Sequence, residues 1–202
     1  MRTSGYEVGL RSSLVPQLQT TFTVFRLDFD SELLFVGDAG TTEPSRPSQR
    51  TGFEWTNFYT PTSWLQIDAD VAFSRARFTI PDAVGNYIPG AVEGVATLTA
   101  AIDNRGPWYG STRLRYFGPR PLIEDNTVRS HSTTLVSVRA GYKFDKKLKL
   151  QLDAFNLLDR RTSQIDYFYA SRLPGEPAAG VNDVHFKPAE PRSLRVALIA
   201  SF

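Results

Sequence analysis

The last segment of the chain, Arg192 to Phe202, alternates between apolar and more polar side chains with a period of two. Its apolar set is Leu194, Val196, Leu198, Ala200 and Phe202. Period-two alternation indicates a β-strand. The segment has the length of a tilted membrane-crossing strand, about 9–11 residues. It therefore predicts one wall strand of a barrel, with apolar side chains facing lipid and the other set facing a wet interior.

The composition removes several classes of function. The 23 basic and 21 acidic residues are interspersed, so no basic stripe points to nucleic acid. The chain has no cysteine, which excludes disulfides and thiolate metal sites. It has no run of 18 apolar residues, as a membrane-spanning helix requires, and a barrel would leave no such run either. The first residues lack an apolar signal-peptide core, so we expect that the chain either is not exported or lacks its front.

Eight more segments show strand patterns, which predicts about nine strands. With the terminal segment, the predicted strands are 6–11, 18–36, 49–60, 64–73, 92–103, 108–118, 136–144, 148–155 and 192–202. In the second strand the apolar set changes phase, from Phe22 and Val24 to Phe25, Leu27 and Phe29, which predicts a bulge or emergence above the bilayer. The alanines of 92–103 also allow a short helix, but β-branched residues and the period of two favour a strand.

The connections alternate strictly between short and long. The short ones lie near Pro16, Pro61, residues 103–107 and Asp145, and the long ones span 37–48, 79–90, 119–132 and 159–191. Short periplasmic turns and long external loops are typical of outer-membrane barrels. If Phe202 is periplasmic, every short turn falls on the periplasmic side. We therefore expect an all-β, antiparallel up-and-down meander in one curved sheet.

The alternation also assigns faces. We expect Leu114, Val138, Leu150 and Leu198 on the convex, lipid-facing side. Their neighbours Arg113, Arg139 and Gln151 should lie on the concave side, because barrel interiors are polar.

Five segments, in order along the chain, carry a family resemblance. They are Tyr6 to Arg11, Phe25 to Asp28 with residues 37–43, Arg50 to Glu54, Phe155 to Arg160, and Pro191-Arg192 leading into Phe202. Their order and spacing resemble the C-terminal barrel of TonB-dependent outer-membrane receptors. The resemblance implies that residues 1–202 form the C-terminal part of a barrel of about 22 strands. The N-terminal strands, the plug, the energy-coupling segment and the signal peptide are then expected outside these residues.

The resemblance also implies a function, a location and partners. The function is active uptake of a scarce ligand such as a ferric siderophore, and the location is the bacterial outer membrane. The partners are outer-membrane lipid, the TonB system acting through the N-terminal part, the small ligand and the barrel-assembly machinery. Val196, Leu198 and Phe202 would form the assembly signal.

Two groups of residues are candidates for ligand binding. Arg113, Arg115 and Arg139 could line a path for an anionic ligand, or they could be ordinary residues of a wet lumen. Tyr167, Phe168 and Tyr169 could stack on a ligand at the mouth. Alternatively, these three belong to an interfacial aromatic girdle, with Trp64, Trp108 and Tyr142 near the other rim.

No motif indicates catalysis, a cofactor or a bound metal. His131 and His185 lie in separate predicted loops, whereas a metal site needs three or four converging ligands. The chain has no phosphate-binding loop, dinucleotide fingerprint, zincin helix or nucleophile elbow, so we expect no enzyme.

Two other all-β architectures share part of this strand pattern. A soluble β-sandwich binding module would also have short strands and turn signals, but loops of similar length at both ends. A small complete barrel conflicts with an odd strand number, because its first and last strands would run in the same direction.

Overall fold

The computed structural model describes residues 2–36 and 40–201. Within them the chain forms thirteen strands: β1 (Thr3–Ser12), β2 (Leu18–Phe29), β3 (Leu33–Val36), β4 (Thr41–Pro44), β5 (Ser48–Thr62), β6 (Leu65–Phe78), β7 (Gly94–Arg105), β8 (Trp108–Phe117), β9 (Thr133–Lys143), β10 (Leu148–Phe155), β11 (Ser163–Ser171), β12 (Val181–Pro188) and β13 (Ser193–Ala200). In the same residues, no helix is long and apolar enough to cross a membrane.

Nine strands form one antiparallel sheet in the order β1-β2-β5-β6-β7-β8-β9-β10-β13. The predicted meander of about nine strands is confirmed. The other four strands form two hairpins, β3–β4 and β11–β12, inside the first and last long connections. These hairpins were not predicted, because glycine, proline and small polar residues in both segments indicate loops.

The register divides the side chains between two faces. Residues paired across antiparallel strands point to the same side of the sheet. One continuous row across six strands is apolar and consists of Leu10, Phe22, Trp55, Val71, Ala96 and Tyr116. The adjacent row on the opposite face is Arg11, Thr21, Thr56, Asp70, Thr97 and Arg115. We call these the apolar face and the polar face.

The predicted division of residues between faces is confirmed. Leu114, Val138, Leu150 and Leu198 belong to the rows of the apolar face. Arg113, Arg139 and Gln151 belong to those of the polar face.

The apolar face is not covered by another layer of the chain. Val8 in β1 and Leu198 in β13 are 76% and 67% exposed, and Leu98 in the middle of the sheet is 48% exposed. Among the described residues no second large sheet packs against this face, so the soluble β-sandwich alternative is wrong. The buried cluster is small and consists of Ala76, Phe78 and Ile88. It lies where β6 enters its long connection, rather than under the sheet.

One local expectation is corrected and another is confirmed. The phase change in the second strand is not a bulge, because the pairing of β2 with β1 and β5 is unbroken from Leu18 to Phe29. Phe25 instead lies on the polar face, against Gly52. The strand predicted over 92–103 is confirmed as β7, which begins at Gly94.

The alternation of connections is confirmed. Short turns join β1 to β2, β5 to β6, β7 to β8 and β9 to β10, and we call that edge of the sheet the short-turn end. The turn expected over 103–107 narrows to Gly106 and Pro107, and Gly106 has a φ of 72°, which favours glycine. The opposite edge is the long-loop end.

Candidate functional site

The hairpin β11–β12 carries the three predicted aromatic residues at the long-loop end. Tyr167, Phe168 and Tyr169 lie in β11, so they belong to a strand within the last long connection. Tyr169 stacks on His185 of β12 with ring centroids 3.9 Å apart. Tyr167 contacts Phe35 of the other hairpin at 4.9 Å. All three are half-buried, so each keeps part of its surface for a ligand.

An ion pair anchors this hairpin to the connection between β8 and β9. Arg120 Nη2 lies 2.8 Å from Asp166 Oδ2 and also donates to the carbonyl of Gln164. Asp166 is only 6% exposed, so removing its partner would leave a buried carboxylate unpaired. Next to it, the hydroxyls of Thr133 and Thr162 are 2.7 Å apart. Sequence reasoning missed this anchor, because nothing in the spacing of two loop residues shows that they meet.

Arg46 joins three connections at the long-loop end. Its guanidinium lies 3.2 Å from Asp82, is ion-paired with Glu124 and donates to the carbonyl of Gly85. It also stacks over the ring of Phe78 at 4.2 Å. Burial raises the pKa of the Glu124 carboxyl, and nearby Asp82 raises it further against the opposing effect of Arg46.

Glu93 forms a second link between the same loops. Its carboxylate is shared by Arg77, at 3.7 Å, and Arg129. Arg77 also lies over the ring of Tyr87 at 3.5 Å. With the Arg46 cluster, this link fixes the connections 79–93 and 118–132 in one arrangement beside the two hairpins.

The three predicted lumen arginines fall into two environments. Arg139 donates from Nε to Asp153 at 2.6 Å. Arg113 donates only to the Thr99 hydroxyl at 3.3 Å. Among the described residues neither Arg113 nor Arg115 has an ion-pair partner. The register places all three arginines on the polar face of the neighbouring strands β8 and β9, but of the three only Arg113 and Arg115 offer unpaired positive charge there.

Asp153 connects three strands on the polar face. It is 3% exposed and accepts hydrogen bonds from Arg139 of β9, Gln151 of β10 and Arg195 of β13. This satisfies the buried carboxylate and gives Arg139 a structural role.

The residues of the predicted assembly signal stand at the edge of the sheet. Val196 and Leu198 lie on the apolar face of β13 and are 70% and 67% exposed. β13 pairs with β10 on one side, and no described strand pairs with its other side. Phe202 lies outside the described residues.

The two histidines do not form a metal site with acidic residues. His185 stacks on Tyr169 in the hairpin, while His131 lies in the connection before β9. In residues 2–36 and 40–201, no three His, Asp or Glu side chains are grouped so as to hold a metal ion.

Comparison with known proteins gives one family match. The profile of a family described as "TonB dependent receptor-like, beta-barrel" matches residues 1–157, more than three quarters of the chain.

Solved structures give the same answer for the fold. The ferric-catecholate import receptor Fiu from E. coli K12, in its closed form, is 20% identical and superposes with a TM-score of 0.73 over 98% of this chain and 27% of its own. The siderophore receptor PiuA from Acinetobacter baumannii is 19% identical, with a TM-score of 0.72 over 98% of this chain and 28% of its own. The copper transporter OprC is 18% identical, with a TM-score of 0.73 over 99% and 31%. The chain thus spans less than a third of these structures.

Proposed function

Because the chain belongs to the TonB-dependent receptor β-barrel family, we propose that it forms the C-terminal part of an outer-membrane receptor for active uptake of a scarce ligand such as a ferric siderophore. On this proposal the apolar face meets lipid, and the polar face lines a lumen through which the ligand passes. Relatives of the same fold include import receptors for ferric catecholates and a copper transporter.

The observation that carries the proposal is an apolar face that no other layer of the described chain covers, opposite a charged face. In water such a face would aggregate. On β8 it runs from Trp108 to Tyr116, about 27 Å along the strand at roughly 3.4 Å per residue. With a strand tilt of about 40°, this corresponds to an apolar band about 21 Å tall, somewhat less than the ~25 Å of outer-membrane barrels.

The strand count supports a larger barrel. In a nine-stranded antiparallel meander, β1 and β13 run in the same direction, so they cannot close the sheet by antiparallel pairing. Backbone N–H and C=O groups left unpaired in lipid cost several kcal/mol each. We propose that residues 1–202 join further strands, to about 22 in all, and a plug of the same receptor. The TonB system would act through that plug.

The ligand path is proposed to include Arg113 and Arg115 on the polar face and Tyr167, Phe168 and Tyr169 above it. The two arginines supply uncompensated positive charge, which suits an anionic ferric chelate. The aromatic rings present flat surfaces that can stack on a catecholate or similar ring.

Uptake by the full-length receptor tests this function. In cells lacking the chromosomal copy, the wild-type receptor should restore growth on at least one ferric siderophore as the only iron source. Arg113→Gln combined with Arg115→Gln should reduce uptake about ten-fold while the outer-membrane level stays unchanged. The matched control is Lys146→Gln, an exposed charge in a short turn. Unchanged uptake by the double variant would remove the arginines from the path, and no uptake of any siderophore or metal chelate would end the proposal.

Assembly is tested separately. If Val196, Leu198 and Phe202 are the signal read by the barrel-assembly machinery through strand pairing, deleting Phe202 from the full-length receptor should sharply lower its outer-membrane level. An unchanged level would show that the signal lies elsewhere.

A further inference from the structure

Two arginines lie on the apolar face just beyond its last apolar row at the long-loop end. That row consists of Val8, Val24, Phe53 and Phe73 on four neighbouring strands. The next row toward the loops consists of Tyr6, Arg26, Thr51 and Arg75. Arg26 and Arg75 are thus separated by one strand, which places their Cα atoms about 10 Å apart. Two long side chains at that spacing can reach one group between them.

Arg26 is ion-paired with Asp28, but one of its nitrogens remains available to a ligand. Its Nε and Nη2 lie 2.9 and 3.1 Å from the two carboxylate oxygens of Asp28. Gln49 of β5 donates to the same carboxylate at 2.9 Å. The Arg26 side chain remains 56% exposed, and its Nη1 has no partner among the described residues.

Arg75 differs from four arginines at the long-loop end that are ion-paired. Arg46, Arg50, Arg120 and Arg129 are all ion-paired with carboxylates of the chain. Arg75 is exposed, and in the described part of the chain no carboxylate lies within ion-pairing distance of it. Because Asp28 compensates the charge of Arg26, Arg75 supplies the net positive charge of the row, beside an apolar surface.

We propose that Arg26 and Arg75 bind the phosphate of an anionic lipid headgroup at the outer surface of the barrel. This inference rests on the proposed function, which puts the apolar face in lipid. The phosphate would lie between the two guanidinium groups, which match phosphate oxygens with paired N–H donors. The acyl chains would run down over Phe53 and Phe73, which are one row closer to the sheet centre.

The occupant is a lipid because the site has two chemistries side by side. A soluble anion would contact only the arginines and would gain nothing from the adjacent aromatic rings. An anionic lipid uses both at once, and the attraction of basic residues to such headgroups is strong at the membrane surface. Tyr6 in the same row adds an aromatic side chain of the kind enriched at this depth.

Lipid titration of the full-length receptor tests the site. Dioleoylphosphatidylglycerol is added to the receptor in a non-ionic detergent, and native mass spectrometry gives the dissociation constant of the first lipid bound. Dioleoylphosphatidylcholine, with no net charge, is the comparison lipid. We expect Arg75→Gln and Arg26→Gln each to weaken phosphatidylglycerol binding about five-fold, and Arg75→Lys to weaken it less. Binding of phosphatidylcholine should not change.

The matched control is Arg11→Gln, which removes an exposed arginine from the polar face near the short-turn end. It should leave phosphatidylglycerol binding unchanged. Equal binding by wild type and both row variants, or an equal loss in the control, would overturn the lipid site. Failure of the proposed function looks different, since the receptor would then be missing from the outer membrane or would restore growth on no chelate. A correctly inserted, transporting receptor with variant-insensitive lipid binding would reject the lipid site alone.

Discussion

The ring of Phe35 in β3 lies 4.9 Å from the ring of Tyr167 in β11. Their hairpins leave the sheet from β2–β5 and β10–β13, with β6, β7, β8 and β9 in between. In a flat sheet β5 and β10 would be about 24 Å apart at roughly 4.8 Å per strand. The two hairpins therefore bend toward each other over the long-loop end and form one aromatic contact there.

Breaking this contact should loosen the β11–β12 hairpin. Tyr167→Ala removes an aromatic pair that contributes about 1 kcal/mol beyond buried area. We expect faster trypsin cleavage at the exposed Arg172 in intact cells, with similar effects for Phe35→Ala and for the double variant. Phe144→Ala, which breaks the aromatic contact with Tyr142 at the short-turn end, should leave the rate at Arg172 unchanged. Fully additive effects of Phe35→Ala and Tyr167→Ala would show that the rings do not interact.

Asp153 should stabilise the junction of β9, β10 and β13. Asp153→Asn removes the charge that satisfies Arg139 and Arg195, and we expect a loss of about 1–2 kcal/mol in the free energy of unfolding. We expect the loss to lie at the lower end of this range, because both guanidinium groups keep contact with water. Urea unfolding of the full-length receptor in lipid measures the change. Asp70→Asn is the control, since Asp70 is exposed on the same face, and an equal loss there would deny Asp153 a special role.

Gly52 should resist substitution. A Cβ at this position would lie 2.1 Å from the carbonyl oxygen of Phe73 and 2.7 Å from the ring of Phe25. Gly52→Ala should therefore cost about 1–3 kcal/mol through overpacking. At Gly94, the matched control, nothing lies within 4 Å of the added atom, so Gly94→Ala should be close to neutral. The two variants are compared by the fraction of receptor that migrates as a folded barrel on gels loaded without heating the sample. Equal fractions would contradict the close packing at Gly52.

The two faces should respond differently to charge. Val71 lies on the apolar face and its neighbour Ala72 on the polar face, opposite Glu54. Val71→Arg should cost about 2 kcal/mol in lipid and lower the outer-membrane level. Ala72→Arg should be tolerated, because its guanidinium can meet water and the Glu54 carboxylate. The reverse order of levels would mean that the faces are assigned the wrong way round.

Glu124 should make the loop cluster sensitive to pH. Burial raises the pKa of its carboxyl above the ordinary value of 4.5, so the folded loops bind this proton more tightly than the unfolded chain does. Stability of the cluster should then fall as pH rises through 4.5 and the window just above it, where the unfolded chain has lost the proton first. Hydrogen exchange of the amides in 79–93 measures this, and Glu124→Gln should flatten the dependence. A slope of the opposite sign in the wild type would rule out the raised pKa.

The sequence alone was sufficient to predict the strands of the barrel wall and their two faces. Strands of a membrane wall need one apolar and one polar face, and that requirement is written locally as alternation in segments such as Leu65 to Phe73. The alternation was misleading where an aromatic side chain faces the polar side. Phe25 breaks the alternation although β2 is regular, because Gly52 on the next strand leaves room for its ring.

Tertiary structure decided what happens above the wall. The pairs Arg120–Asp166, Arg46–Glu124 and Phe35–Tyr167 join residues from 46 to 132 positions apart, in segments whose glycine, proline and polar residues predict only loops. Local sequence cannot specify such contacts, because they depend on how the curvature of the sheet brings the ends of distant strands together. The same holds for the site: the identities of Arg113, Arg115 and Arg139 suggested one anionic path, and only the position of Asp153 showed that Arg139 is ion-paired while the other two are not.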